Sequence, residues 1–545
     1  MKQDIEFLHS KNKRLTKKAY DYLLNNQIEK HLLEKIAASA QAIIDLDNIL
    51  EIISYHKKIK DSSEILRPQT QIQQQPANIV YSQQTQSKVS EAKEIKEKKQ
   101  QEQPEKENSQ PVQERKFGLE VKEVEIIPSP SFKPIAKEYS PSIKVFEQTD
   151  ISNKSNSTGT IENFISYFRD RFAAQKEILK NRQSILPVLR LDELSKHIGS
   201  EARIIGMVYD KKITSKGNLV FELEDEYSQA RVVVPSNEQC FQEAQRIVRD
   251  DVIAFDGKIL ENFFIVKTVH WPDISVLKSF PQAQEDLAIV YLSDLHFGSK
   301  YFLEKAFKRF LHWLEGKESY SSLAAKVKYI IIAGDLVDGI GVYPTQENDL
   351  VLKDIYKQYK EFENALEKIP DYISVIICPG NHDGVRRAEP QPAIEKDLVQ
   401  SDVISVGSPC MVHIENFNHL IYHGTSLDSI IANIPGLSYS KPEEAMKEIL
   451  KRRHLSPIYG ENLIVPELKD FMTIPQEPDV VHMGHIHKNA CAKYRGVLMI
   501  NSGTYQDRTE YQIRMGHTPT PAITPVFEMK SGQVYHLRFL EEELL

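Results

Sequence analysis

Five apolar runs in the second half of this 545-residue chain each end on residues able to bind a cation or move a proton. LAIVYLS runs into Asp294-Leu-His296, VKYIIIAG into Asp335, YISVIICPG into Asn381-His382-Asp383, HLIY into His423, and DVVHMG into His485-Ile-His487. Such runs read as strands, and loops at the carboxyl ends of strands in an α/β sheet collect on one edge, so the five should meet in one site. Residues two apart on an extended chain project to the same side, which would pair Asp294 with His296 and His485 with His487. Carboxylates, imidazoles and one amide oxygen suit two divalent ions, Mn2+ or Mg2+ first and Zn2+ or Fe2+ after them, and not a thiolate-seeking metal. Gly298, Gly334, Gly380, Gly384, Gly424 and Gly484 allow the tight turns and close backbone approach that such a site requires.

Each motif alone has an ordinary reading. Asp-x-His after a strand is common, GNHD can be a turn satisfied by its own side chains, and His-x-His often lies on a surface. Their order at five successive strand ends carries the inference.

Helical patterns at Phe302–Leu314 and Asp354–Leu366 alternate with those strands, so 286–545 reads as an α/β domain. Before it, 159–276 reads as a helix (Ile161–Leu179) followed by about five short strands, with a helical stretch near Gln239–Val248. That pattern suits an OB-type β-barrel, a fold that binds single strands or another protein. Trp271, Phe263 and Phe264 are expected in its core rather than as base-stacking platforms. Residues 67–158 are rich in Gln, Lys, Glu, Ser and Pro and read as a disordered linker. In 1–66, apolar residues at helical spacing (Leu23, Leu24; Leu32, Leu33, Ile36; Ile43, Ile44) predict a small α-helical module.

The charge balance, 69 Lys+Arg against 77 Asp+Glu, is −8 and excludes a binder held to nucleic acid by bulk positive charge. Four cysteines without CxxC spacing indicate neither a disulfide framework nor a structural zinc site. No apolar run approaches the roughly 18 residues of a membrane span, and the start lacks a signal-peptide core. A cytoplasmic protein with no membrane partner is expected.

The set D-x-H, GD-x-x-D, GNH[DE], H and GH-x-H, present between Asp294 and His487, resembles the calcineurin-like metallophosphoesterase superfamily. The strings SDLHFGS, AGDLVDGIGVYP, PGNHDGVRRAEPQPAI, YHGTSLD and KRRHLSPIYG resemble, more narrowly, the small subunits of archaeal family D DNA polymerases, over about the C-terminal two thirds. The resemblance implies Asp294, His296, Asp335 and His487 around one ion, with Asp335, Asn381, His485 and a further histidine around a second. That histidine is His423 or His454, with the balance slightly toward His454 in the KRRHLSP segment. His382 is implied as the group that stabilises the transition state or protonates the leaving 3′ oxygen. Asp383 either orients it or makes a turn, and Arg386 and Arg387 either contact phosphate or pair with Glu389. The implied activity is 3′→5′ exonuclease hydrolysis of single-stranded DNA or a primer 3′ end, for proofreading. It would operate in a heterodimer with a large catalytic polymerase subunit. A sliding clamp stays open as a partner, since RFLEEELL has no Gln-anchored aromatic pair. The alternatives are a catalytically silent scaffold subunit, a free-standing Mre11-like repair nuclease, and a phosphatase of proteins or small nucleotides.

Overall fold

The computed structural model describes residues 14–15, 43–44, 132–514 and 516–540. The chain divides into two units, Met1–Pro111 and Val112–Leu545. In the first, the described residues form a parallel pairing of Arg14–Leu15 with Ile43–Ile44. The helical module expected over 1–66 otherwise lies outside the described residues, as does the linker up to residue 131.

In the second unit, Thr160 opens helix α1 (Ile161–Lys180) with a reciprocal cap: its hydroxyl accepts from the Asn163 amide, and the Asn163 side chain accepts from the Thr160 amide. This satisfies amides that have no partner inside the helix. The helix lays Phe172 and Leu179 on Ile205, Met207, Val252 and Ala254. Those residues belong to β1 (Glu201–Ile213) and β4 (Val252–Ile259), which with β2 (Leu219–Glu224), β3 (Gln229–Val234) and β5 (Phe264–His270) make a barrel. Burial alternates strictly along β2, as a strand with one wet face requires. Pairing runs β1–β2–β3–β5–β4 and returns from β4 to β1, with β3 and β5 parallel. Phe264 and Trp271 are buried in this closed five-stranded barrel, whereas Phe263, on the opposite face from its neighbour, is 36% exposed.

The rest of the unit is two six-stranded sheets packed face to face. In the first, β6 (Ala288–Leu292), β7 (Val327–Ala333) and β8 (Ser374–Cys378) are parallel, with Ile404–Ser405 beyond β8 and antiparallel Ile523–Glu528 and Gln533–Arg538 beyond β6. Every residue of β6 and β7 is buried, because both faces are covered. Ile289, Tyr291 and Ile331 meet the second sheet, while Val290, Leu292 and Ile330 meet Phe307 and Phe310 of α2 (Glu304–Leu314) and Phe362 of α3 (Ile355–Leu366). Each such side chain contributes about 1.5–3 kcal/mol by burial.

The second sheet centres on β9 (Cys410–Ile414), β10 (Phe417–Ile421) and β11 (Val480–Met483), the last two parallel. Its outer face packs Met411, Leu420 and Val481 on α4 (Leu427–Asn433) and α5 (Pro442–Arg452). The result is a helix–sheet–sheet–helix sandwich. The motif loops follow the carboxyl ends of β6, β7, β8, β10 and β11, so two sheets rather than one deliver them to the site.

Of the expected linker, residues 132–158 are described and are folded on this sandwich. Ile143–Val145 pairs antiparallel with β9. Asp150 accepts from the amides of Gly407 and Ser152, and Glu467 accepts from Ser155 and from the amides of Asn156 and Ser157. Composition hid this because the stretch supplies a sheet edge and polar caps rather than a hydrophobic stripe. Among the described residues, no helix is long and apolar enough to cross a membrane.

Candidate metal centre

The Asp-x-His and His-x-His pairs are not extended. Asp294, His296, Asp335, His485 and His487 all have φ between 51° and 67°. Left-handed backbone costs an ordinary residue about 1–2 kcal/mol and persists only where its surroundings impose it. Here the Asp294 amide is tied to Gly334 O at 2.9 Å, the His296 amide to Asp335 O at 3.1 Å, and the Tyr505 amide to Asp294 O at 3.1 Å. The paired residues therefore converge through curled loops, which corrects the extended-chain expectation. Gly380 and Gly484 have a different role from turning the chain. A Cβ on Gly380 would lie 2.2 Å from Asp335 Oδ1, and one on Gly484 2.3 Å from Asp294 Oδ2, so each makes room for a carboxylate.

Two donor sets result, joined by Asp335. In one, His296 Nε2 faces His487 Nε2 at 3.1 Å, with Asp294 Oδ1 3.3 Å from His487 Nε2 and Asp335 Oδ2 3.9 Å from His296 Nε2. In the other, Asn381 Oδ1 lies 3.0 Å from both His423 Nε2 and His485 Nδ1, and Asp335 Oδ2 is 3.3 Å from His423 Nε2. The groups Asp294/His296/His487, His296/Asp335/His382 and Asp294/Asp335/His423 each bring one ligand atom per residue within 4.8 Å of the others. The outward nitrogens are already committed: His296 Nδ1 to Asp338 Oδ1 at 2.9 Å, His423 Nδ1 to Ala333 O at 2.8 Å, His485 Nε2 to Asp428 Oδ2 at 2.9 Å, and His487 Nδ1 to the Gln512 amide at 2.9 Å. That fixes the rings and turns lone pairs toward one another, an arrangement that fits divalent cations. Burial opposes ionisation of Asp335, but His423, His382 and His296 outweigh it and hold the carboxyl well below its usual range. Against the same burial, Asp335 pushes His423 up to about 10.

His382 stands beside both sets. Its Nδ1 is 2.7 Å from Asp338 O, its Nε2 is 3.9 Å from Asp335 Oδ2, and its ring meets His296 edge-on at 4.7 Å. Asp383 does not orient that ring. It accepts from the amides of Leu336 and Gly380 and from Tyr359 Oη, bracing the loop that carries Asp335, and burial raises it to about 7.

The lean toward His454 is overturned. His454 Nε2 lies 2.8 Å from Asp470 and its Nδ1 accepts from the Ser456 amide, so both nitrogens are spent in a different cluster. Arg386 pairs with Glu467 at 3.3 Å and donates to Pro390 O, and exposed Arg387 donates to Gly341 O. Glu389 is buried and takes the Tyr422 hydroxyl at 2.5 Å, so it pairs with neither arginine. Sequence reasoning missed Asp338, Asp428 and Gln512 as supports. Only Asp338 had a signal, the second aspartate of GD-x-x-D.

The calcineurin-like phosphoesterase family model matches residues 287–489, the span holding both donor sets. The DNA polymerase II small subunit of Methanocaldococcus jannaschii is 40% identical over 417 residues, which is 74% of this chain and 70% of that protein. The one from Archaeoglobus fulgidus is 40% identical over 401 residues, 72% of this chain and 80% of that protein. The one from Halobacterium salinarum strain R1 is 34% identical, over 70% of this chain and 75% of its own. With identity of this extent over most of both partners in each comparison, the chain belongs to the family of DNA polymerase II small subunits, and its C-terminal part is a calcineurin-like phosphoesterase domain.

Proposed function

We propose that the chain works with a large catalytic polymerase subunit and that its phosphoesterase domain removes nucleotides from DNA 3′ ends by metal-dependent phosphodiester hydrolysis. The observation that carries this is Asp335 shared between two donor sets whose lone pairs face inward. Asp294, His296, Asp335 and His487 would hold one ion, and Asp335, Asn381, His423 and His485 the other. Bound there, a metal pair lowers the pKa of a water, orients the phosphodiester and neutralises charge during in-line displacement.

The chain's own residues supply the rest. His382 donates its Nδ1–H to Asp338 O, so Nε2 carries a proton only when the ring is an imidazolium. In that form it would donate to a phosphoryl oxygen or give the proton to the leaving 3′ oxygen. Asp383 and Tyr359 keep the Asp335 loop at its place beneath the substrate. The barrel, with strand order β1–β2–β3–β5–β4 and a helical piece between β3 and β4, is of the OB type and, with the outer face of the sandwich, offers the large subunit a surface. A silent scaffold has no need of a complete inward-facing donor set, which favours the enzyme.

The test is cleavage of 5′-labelled single-stranded DNA in Mn2+ by the purified chain, with and without the large subunit, beside Asp335→Ala and His382→Ala. A 3′→5′ ladder that both substitutions abolish supports the reading. No cleavage under any condition leaves the scaffold.

A further inference from the structure

Beyond the donor sets, the geometry points to a nucleobase-stacking subsite formed by Tyr439 and His517 on the rim beside His485. It rests on reading the cluster as a phosphodiesterase site and names how that site takes the terminal nucleotide.

The two rings lie 4.3 Å apart between centroids and 34° from parallel, and both are only partly buried. Each is tied to a different candidate ligand. Tyr439 hydrogen-bonds Asp428, whose other contact is His485 Nε2 at 2.9 Å. His517 follows the segment that carries Gln512, whose amide meets His487 Nδ1 at 2.9 Å. The ring pair thus stands one side chain outside the cluster, where a nucleotide with its phosphate on the donors would bring its base.

Positive charge accompanies the rings. Lys488 donates to Thr518 O, next to His517, at 3.2 Å. Of the charges acting on His517, the Asp428 carboxylate is the strongest, followed by His485 and Arg508, and Arg508 Nε is buried with no partner among the described residues. Lys488 and Arg508 near two partly buried rings suit one phosphate and one base. Arg386 and Arg387 are occupied by protein oxygens instead. Stacking tolerates any base because every base has a π face, as an enzyme that trims ends of all sequences requires.

An oligonucleotide with 2-aminopurine at its 3′ end, bound to the full chain in Ca2+, reads stacking without turnover. The wild type should quench the probe. Tyr439→Ala and His517→Ala should lose the quench and bind about 5- to 100-fold more weakly, while Tyr439→Phe keeps both. In Mn2+, the wild type should cleave an abasic 3′ end less efficiently than a normal one by a similar factor in kcat/KM, and the alanine variants should not discriminate. Alanine variants that quench and discriminate like the wild type overturn the subsite and leave hydrolysis standing. A quench lost in the alanine variants of a chain that cleaves nothing supports the subsite and removes the hydrolytic reading.

Discussion

Asp335 and Asp470 are both buried aspartates facing histidines, yet their surroundings differ in one respect. Around Asp470 the positive charge comes from within the protein: Arg171 Nε sits 2.8 Å away, its other nitrogens donate to Pro457 O and Tyr167 Oη, and His454 completes the set. Around Asp335 the ion pairs among the described residues are with histidines alone, and those rings have spent their outer nitrogens elsewhere. The first cluster is complete and clasps α1 to the sandwich. In the second, no lysine or arginine pairs with Asp335 among the described residues, and the inward-facing donors form a candidate metal cluster. An aspartate facing a histidine is common to both, and what separates them is the arginine in one and the direction of the histidine nitrogens in the other.

Four measurements distinguish the Asp335 cluster from the Asp470 cluster. Asp335→Ala should cost at least about 10³-fold in DNA cleavage and abolish saturable Mn2+ binding by calorimetry, since it removes the group common to both donor sets. His382→Ala should lower kcat by about 10²–10⁴-fold while Mn2+ titrates as in the wild type. Asp470→Ala should leave cleavage per folded molecule unchanged but cost about 3–5 kcal/mol in urea unfolding, because Arg171 stays buried without its partner. Loss of Mn2+ binding in that variant would merge the two clusters into one function.

The smallest effect is in acid. Burial, helped by Arg171, holds His454 at about 4, so near neutrality it is uncharged and Arg171 alone faces Asp470. Below about pH 6.5 the unfolded chain takes up a proton that the folded chain refuses until about pH 4. Stability is therefore complete above that window and falls through it as pH drops, by about 1.4 kcal/mol per unit for this group. His454→Gln should flatten the slope in unfolding measured from pH 7 to 4.

How far the sequence reached follows from which forces leave a linear trace. Strands β6 and β7 were legible because burial on both faces makes them continuous apolar runs, and their ends marked Asp294 and Asp335. The choice between His423 and His454 was not legible, since both follow plausible patterns and only the tertiary placement of Asp470 and Arg171 claims His454. Whether Asp383 orients His382 or makes a turn was not legible from their adjacency, and its oxygens face the Leu336 and Gly380 amides. The left-handed turns at His485 and His487 are unfavourable for those residues in isolation, so no local preference announces them.

The Ile143–Val145 strand has a practical corollary. It occupies the outer side of β9 through Val145, Lys144 and Ile143, and so blunts an open ladder of amides and carbonyls. A fragment begun at residue 159, where composition alone draws the border, would bare that ladder. Such fragments should associate edge to edge, and their insolubility would report a missing border strand rather than a misfolded centre.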